Sequence, residues 1–198
     1  AAATWAAGCA GTTAPAPAAA SSAGSVADLG RPWSEIPYDV APDVLRSAEG
    51  ACREQSPDDI PAGSPLALVD GRGGARLILV FAPPGAGVSC DAKINADRSW
   101  TAVVHPGIDA PVPAAGHASV ELLASSSDIR PIGIPKERTT LFGRSGPGVV
   151  SVDVLVGESV VRATTADGWF VAWWPTDEAA IAIQARDAAG RALEAPHA

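Results

Sequence analysis

The run Trp169-Phe-Val-Ala-Trp-Trp174 constrains this chain more than any other segment, because it concentrates three of the six tryptophans in six residues that must find cover. Asp167-Gly168 precedes it, a two-residue hairpin signal suited to a type I′ turn with positive φ at both central positions. Pro175 ends it, since proline cannot donate to a strand ladder. Six residues between two such stops is the length of a strand. Strand alternation puts Trp169, Val171 and Trp173 on one face and Phe170, Ala172 and Trp174 on the other. We expect Trp169 and Trp173 to point inward against Val152, Val154 and Ile183. Phe170 and Trp174 are then the candidate binding face. Left wet, that face is an aromatic platform for sugar rings or a protein partner. Covered by Leu155 or by the N-terminal unit, it is ordinary packing, the commoner fate of large aromatics.

Short strands surround this run. Residues 149–156 alternate, with Val150, Val152, Val154 and Val156 on one face and Ser151 and Asp153 facing away. Gly157-Glu158 turns the chain and 159–165 returns to the Asp167-Gly168 hairpin. Residues 180–184 and 191–193 read as two further strands. Five short strands at regular spacing predict a small antiparallel sheet or an Ig-like sandwich.

Upstream the pattern differs. Residues 41–55 read as a helix, with Pro42 in the first turn and Asp43 at the positive end of the dipole. Val44, Leu45, Ala48, Ala51 and Cys52 share one helical face, which buries Cys52. Strands follow at 66–70, 75–81 and 88–94, the first two joined by a hairpin loop at Gly71-Arg-Gly-Gly74. Residues 99–104 and 119–124 are further strand candidates, and 128–137 is a loop. The predicted fold is therefore mostly β with one N-terminal helix (α+β). The helix lies on an antiparallel meander, and the sheet or sandwich follows. The predicted divisions are a disordered tether over 1–32, helix plus meander over 33–130, and a β-rich unit over 131–198. At 198 residues the last two are expected to pack as one domain.

The chain opens with 30 residues holding one charged side chain, Asp28. Residues 14–25 are an Ala/Pro/Ser-rich stretch with too little apolar bulk to offset the entropy of ordering. Just before it, Ala6-Ala7-Gly8-Cys9 resembles a bacterial lipobox, which makes Cys9 the candidate lipidation site behind a signal peptide. Ala6 stands where leucine is usual. Two other readings stay open: the trailing end of a membrane helix, since residues 1–11 are apolar and include Trp5, and a plain secreted terminus. The expected location is extracytoplasmic, anchored to the outer face of the cell membrane or secreted. The cysteines agree. With Cys9 set aside, Cys52 and Cys90 remain, and an even remainder in an exported chain reads as one disulfide. Two unrelated buried thiols are the alternative.

Two segments carry a family likeness. Phe142-Gly-Arg-Ser-Gly-Pro-Gly-Val149 and Asp167-Gly-Trp-Phe-Val-Ala-Trp-Trp-Pro175 resemble those of a group of uncharacterised actinobacterial extracytoplasmic proteins. Asp70-Gly-Arg-Gly73 and Cys90 match further features of that group, and the resemblance spans about residues 42–194. It implies a membrane-tethered or exported module and supplies no reaction.

Composition narrows the chemistry. A net charge of −8 leaves no basic excess to replace phosphate counterions, so nucleic acid is not an expected partner. Mean hydropathy is +0.15, but alanine, roughly a fifth of the residues, inflates it. No G-x-S-x-G, P-loop, G-x-G-x-x-G, H-E-x-x-H or EF-hand pattern occurs. His105, His117 and His197 lack ligand spacing, and no metal or cofactor is expected. The reading is a non-enzymatic extracytoplasmic module, held to the membrane by its N-terminal anchor, that binds a protein partner or senses at the cell surface. The alternatives are a carbohydrate or cell-wall glycan binder using the aromatic face, and the outer domain of a membrane-bound regulator.

Overall fold

The computed structural model describes residues 32–73, 75–83, 86–125 and 138–193. Residues 1–31 with Cys9, His197 and the whole of the predicted loop over 128–137 fall outside them. One helix, α1 (Pro42–Gln55), is followed by β1 (Leu66–Gly71), β2 (Arg76–Phe81), β3 (Gly87–Ile94), β4 (Trp100–Ile108) and β5 (Ala118–Ser125). Then come β6 (Thr139–Ser145), β7 (Ser151–Val156), β8 (Ser159–Arg162), β9 (Thr164–Ala166), β10 (Trp169–Trp174) and β11 (Ala180–Arg186). They form three antiparallel sheets, ordered β1-β2-β3-β4, β5-β6-β10-β9 and β11-β7-β8. Among the described residues the fold is mostly β with a single helix, as the sequence predicts.

The layers follow from alternation along two strands. On β2, Leu77, Leu79 and Phe81 face α1 and pack with Val44, Ala48 and Cys52. Ile78 and Val80 point the other way, onto the second sheet. On β10, Trp169, Val171 and Trp173 meet Ile78, Val80, Ala67 and Leu68 of the first sheet. Phe170, Ala172 and Trp174 meet Val152, Val154, Val156 and Val161 of the third. The order is helix, first sheet, second sheet, third sheet, with two internal strands apolar on both faces. Strands buried on both faces read as continuous hydrophobic runs, as β2 and β10 do.

The disulfide joins the first two of these layers. Cys52 on α1 and Cys90 on β3 are bonded, with Cα atoms 6.1 Å apart and both residues fully buried. A cross-link spanning 38 residues lowers the entropy of the unfolded chain by about 4 kcal/mol in the chain-entropy model.

Several expectations need correction. The Trp-rich strand turns at Asp167-Gly168 with φ of 49° and 75°, as a type I′ turn requires. Its faces, however, are the reverse of the expectation: Trp169 and Trp173 face the first sheet, and it is Phe170 and Trp174 that face Val152 and Val154. The return over 159–165 is not one strand. β8 pairs with β7 in the third sheet, Ala163 crosses the core, and β9 pairs with β10 in the second. β5 hydrogen-bonds to β6, so the boundary between sheets precedes β5 and does not fall near residue 130. Residues 191–193 contribute one isolated bridge, Arg186 to Ala192. Val150 precedes β7 and is exposed. β6, central in the second sheet, is absent from the predicted strands.

Both faces of β10 being covered has a measurable consequence. Trp173→Ala and Trp174→Ala should each destabilise the protein by about 3–5 kcal/mol in urea unfolding, because each empties a filled core site. A Trp174 variant of near-native stability would contradict the third-sheet contact.

Candidate functional site

The sequence singles out Phe170 and Trp174 as a binding face, and the structure removes them from that role. They are 0% and 2% exposed. The third sheet covers them, and the Trp174 indole donates a 2.7 Å hydrogen bond to the Glu178 carbonyl. An aromatic platform for sugars needs a wet face, and this one is core. The physical cause is the third layer: β7 and β8 supply the valines that cover the strand.

A heavily bonded polar group lies elsewhere, at Asp70-Gly-Arg-Gly73. The hairpin loop expected there holds a fully buried ion pair. Arg72 Nε and Nη2 donate to both oxygens of Asp70 at 2.8 to 3.0 Å. Arg72 Nη1 donates to the Glu35 carbonyl at 2.6 Å, and Nη2 also donates to the Arg162 carbonyl at the end of β8. Thr164 Oγ1 at the start of β9 donates to Asp70 Oδ2 at 2.7 Å. Burial pushes the Asp70 carboxyl above its ordinary value, while the charge and hydrogen bonds of Arg72 and the Thr164 hydroxyl oppose the rise. One ion pair thus joins all three sheets to the segment that leads into α1. That segment is also held by Trp33, whose Nε1 donates to the Trp173 carbonyl at 3.0 Å and whose ring meets Trp173 edge-on.

Two further buried carboxylates serve the same kind of purpose. Asp91 on β3 accepts from Arg76 on β2 at 2.9 Å and from Arg138 beside β6. Asp153 does face away from the valine side of β7, as predicted, but it is buried. Arg162 and Arg186 reach it from the flanking strands, each at 2.6 Å. Burial would raise its carboxyl, yet the hydrogen bonds from Arg186 and Arg162 outweigh it and hold Asp153 below the usual aspartate range.

One half-buried arginine is not engaged in this way. Among the described residues, Arg53, Arg72, Arg76, Arg138, Arg162, Arg186 and Arg191 each contact a carboxylate. Arg46 and Arg98 stand in solvent. Arg144 on β6 is half-buried and makes no ion pair with any described residue. It sits in register between Ser119 and Trp169. Its guanidinium carbon lies 3.9 Å from the Trp169 ring centroid, and Trp169 stacks in turn on Phe142 at 4.9 Å. The guanidinium borders an open cleft of about 410 Å³ lined by Val112, Pro147, Val150, Thr165 and Asp167 among others. A smaller hollow of about 180 Å³, with Pro83, Asp109 and Trp169, lies on its other side. A guanidinium kept in place by a stacked aromatic pair is preset for a planar anion. The sequence contains Arg144 inside Gly143-Arg-Ser-Gly-Pro-Gly148, but spacing alone gave no reason to separate it from the other arginines.

Among the described residues no group of three His, Cys, Asp or Glu side chains could hold a metal ion, and no helix is long and apolar enough to cross a membrane. No protein family, curated protein or solved structure matches the chain.

The two buried clusters predict different behaviour. Arg72→Met should destabilise the protein by about 3–5 kcal/mol, because it strands the Asp70 charge in the core. Adding Asp70→Leu should restore part of that loss in urea unfolding; a double variant less stable than Arg72→Met would contradict the assignment. For Asp153 the sign follows from a folded-state pKa lying below the unfolded value of about 3.9. Its stabilisation is complete above that value and is lost as pH falls through the folded one. The stability gap between the native chain and Asp153→Asn should therefore shrink below about pH 4. A gap constant from pH 6 to pH 2 would refute the pairing with Arg162 and Arg186.

Proposed function

We propose that the chain is a non-enzymatic extracytoplasmic module, tethered to the membrane through Cys9, that binds a protein partner. The observation that carries this reading is the Cys52–Cys90 disulfide, buried between helix and first sheet. Such a bond persists in oxidising compartments and is rare where thiols are kept reduced. A lipobox-like Ala6-Ala7-Gly8-Cys9 followed by a low-complexity stretch supplies an anchor and a spacer of the kind that holds a domain off a surface. The buried carboxylates Asp70, Asp91 and Asp153 are each occupied by arginines and join strands or sheets, which favours a scaffold over a site of acid–base chemistry. Binding is assigned to an exposed part of that scaffold, since the aromatic strand is enclosed. The carbohydrate reading rested on Phe170 and Trp174 and loses its ground with their burial.

Localisation and thiol state test this together. In the producing cell, the native chain should fractionate with membranes, incorporate a palmitate analogue, and resist thiol alkylation at Cys52 and Cys90 unless reduced. Cys9→Ser should lose the label and move to the soluble extracytoplasmic fraction. A reduced pair in the cell would defeat the compartment, and unchanged membrane association of Cys9→Ser would defeat the lipid anchor.

A further inference from the structure

We infer that Arg144 anchors a peptide-recognition cleft, and that its occupant is an extended segment of a protein partner. The segment presents a carboxylate to the guanidinium and an adjacent apolar side chain to the rim. This rests on the partner-binding reading above and names the site and the chemistry recognised.

Three observations converge on it. The first is the state of the arginine. Burying half of a guanidinium without a carboxylate is costly, and the other buried or half-buried arginines that are described avoid that cost by pairing. Arg144 has instead the face of Trp169 at 3.9 Å, a contact that positions a cation and leaves the in-plane N–H donors of its terminal Nη atoms to another partner, while Nε is buried. The second is rigidity. Trp169 cannot move aside, because it is stacked on Phe142, and at Gly87 a Cβ would stand only 2.1 Å from its ring. The anchor is therefore preorganised, which lowers the entropy lost on binding. The third is the rim. Val112 and Val150, 58% and 57% exposed, are two of the few large apolar side chains in solvent, and both line the cleft with Pro147. One fixed cation beside an apolar wall matches a carboxylate followed or preceded by an apolar residue.

The rim also restricts the occupant. Asp167 lines this cleft and Asp109 the adjoining hollow, both exposed and neither in ion-pair contact with Arg144. They repel a polyanion and accept basic side chains. A phosphate-rich ligand is therefore disfavoured, whereas a segment with one acidic residue among apolar and basic ones fits each of these groups.

Site-specific photo-crosslinking of the full chain in the producing cell tests this. The probe is p-benzoylphenylalanine placed singly at Val112, Val150, Val160 or Ile181; the last two are exposed on β8 and in β11, in the third sheet. We expect protein adducts from positions 112 and 150. Their yield should fall at least tenfold with Arg144→Gln, and the cross-linked partner peptide should contain Asp, Glu or a C-terminal carboxylate. Arg144→Lys, which keeps the charge but not the planar fork, should give an intermediate yield. Near-ultraviolet circular dichroism of the purified variants checks that Trp169 keeps its environment, and Arg144→Lys carries the comparison if Arg144→Gln does not. Adducts at 112 and 150 that are indifferent to both substitutions, or partner peptides without a carboxylate, would overturn the cleft. Adducts only from 160 and 181 would also overturn it while leaving partner binding standing. No adduct from any of the four positions would count against both.

Discussion

The fold depends on the ion pair between Asp70 and Arg72. Removing two charges from water costs several kcal/mol per ion, and the attraction between them repays this only when the remaining donors and acceptors are satisfied. Here they are satisfied by groups far away in sequence. Arg72 reaches the carbonyls of Glu35 and Arg162, which lie 37 and 90 residues off, and Asp70 takes the hydroxyl of Thr164. The pair is therefore a docking instruction. It is complete only when the entry segment, the first sheet and the β8–β9 crossover are all in place. Apolar contacts alone would allow the sheets to slide, since dispersion has no direction. These hydrogen bonds do have direction, and they set where one layer stops against the next.

With that junction fixed, the aromatic strand acquires its role. β10 has the largest side chains of the core on both faces, so it can exist only between two other sheets. The first sheet offers Ile78 and Val80 only because Leu77, Leu79 and Phe81 are already covered by the helix. The helix in turn is tied to that sheet by a covalent bond at Cys52. Each layer thus completes the burial of the one beneath it. The outer side of the third sheet ends the stack with Asp153 clamped between Arg162 and Arg186.

What the sequence showed was whatever depends on near neighbours. The helix, the disulfide and the Asp167-Gly168 turn were legible because periodicity, cysteine parity and positive φ are local or countable properties. The faces of β10 were legible as two sets, but not which neighbour each set meets, since alternation is symmetric and only the layer order breaks the symmetry. β6 was hidden by its own composition. Gly143 and Gly146-Pro147 look like punctuation, yet at Gly143 a Cβ would stand 2.4 Å from the Phe170 ring and 2.2 Å from the Ser119 carbonyl oxygen. The glycine there is a strand residue that makes room for an aromatic ring. Arg72 was hidden for a different reason. Beyond Asp70, its partners are the backbone carbonyls of Glu35 and Arg162, and backbone carbonyls carry no sequence signal.

The Gly143-Arg-Ser-Gly-Pro-Gly148 segment separates the demands of folding from those of recognition. Its first glycine is required by Phe170, and its strand is required by β5 and β10 on either side. Those demands end at the backbone. They fix the position of residue 144 on the face that looks toward Trp169, but they do not ask for a guanidinium there. An apolar residue would cover Trp169 without bringing a charge into half-buried surroundings. A chain with twelve arginines spends most of the described ones on carboxylates that join strands or turns. Arg144, the half-buried exception, stands at the mouth between the first and second sheets, where the layering leaves open space. A charge that folding does not use, held still by residues that folding does use, is the arrangement a rigid scaffold offers to a partner.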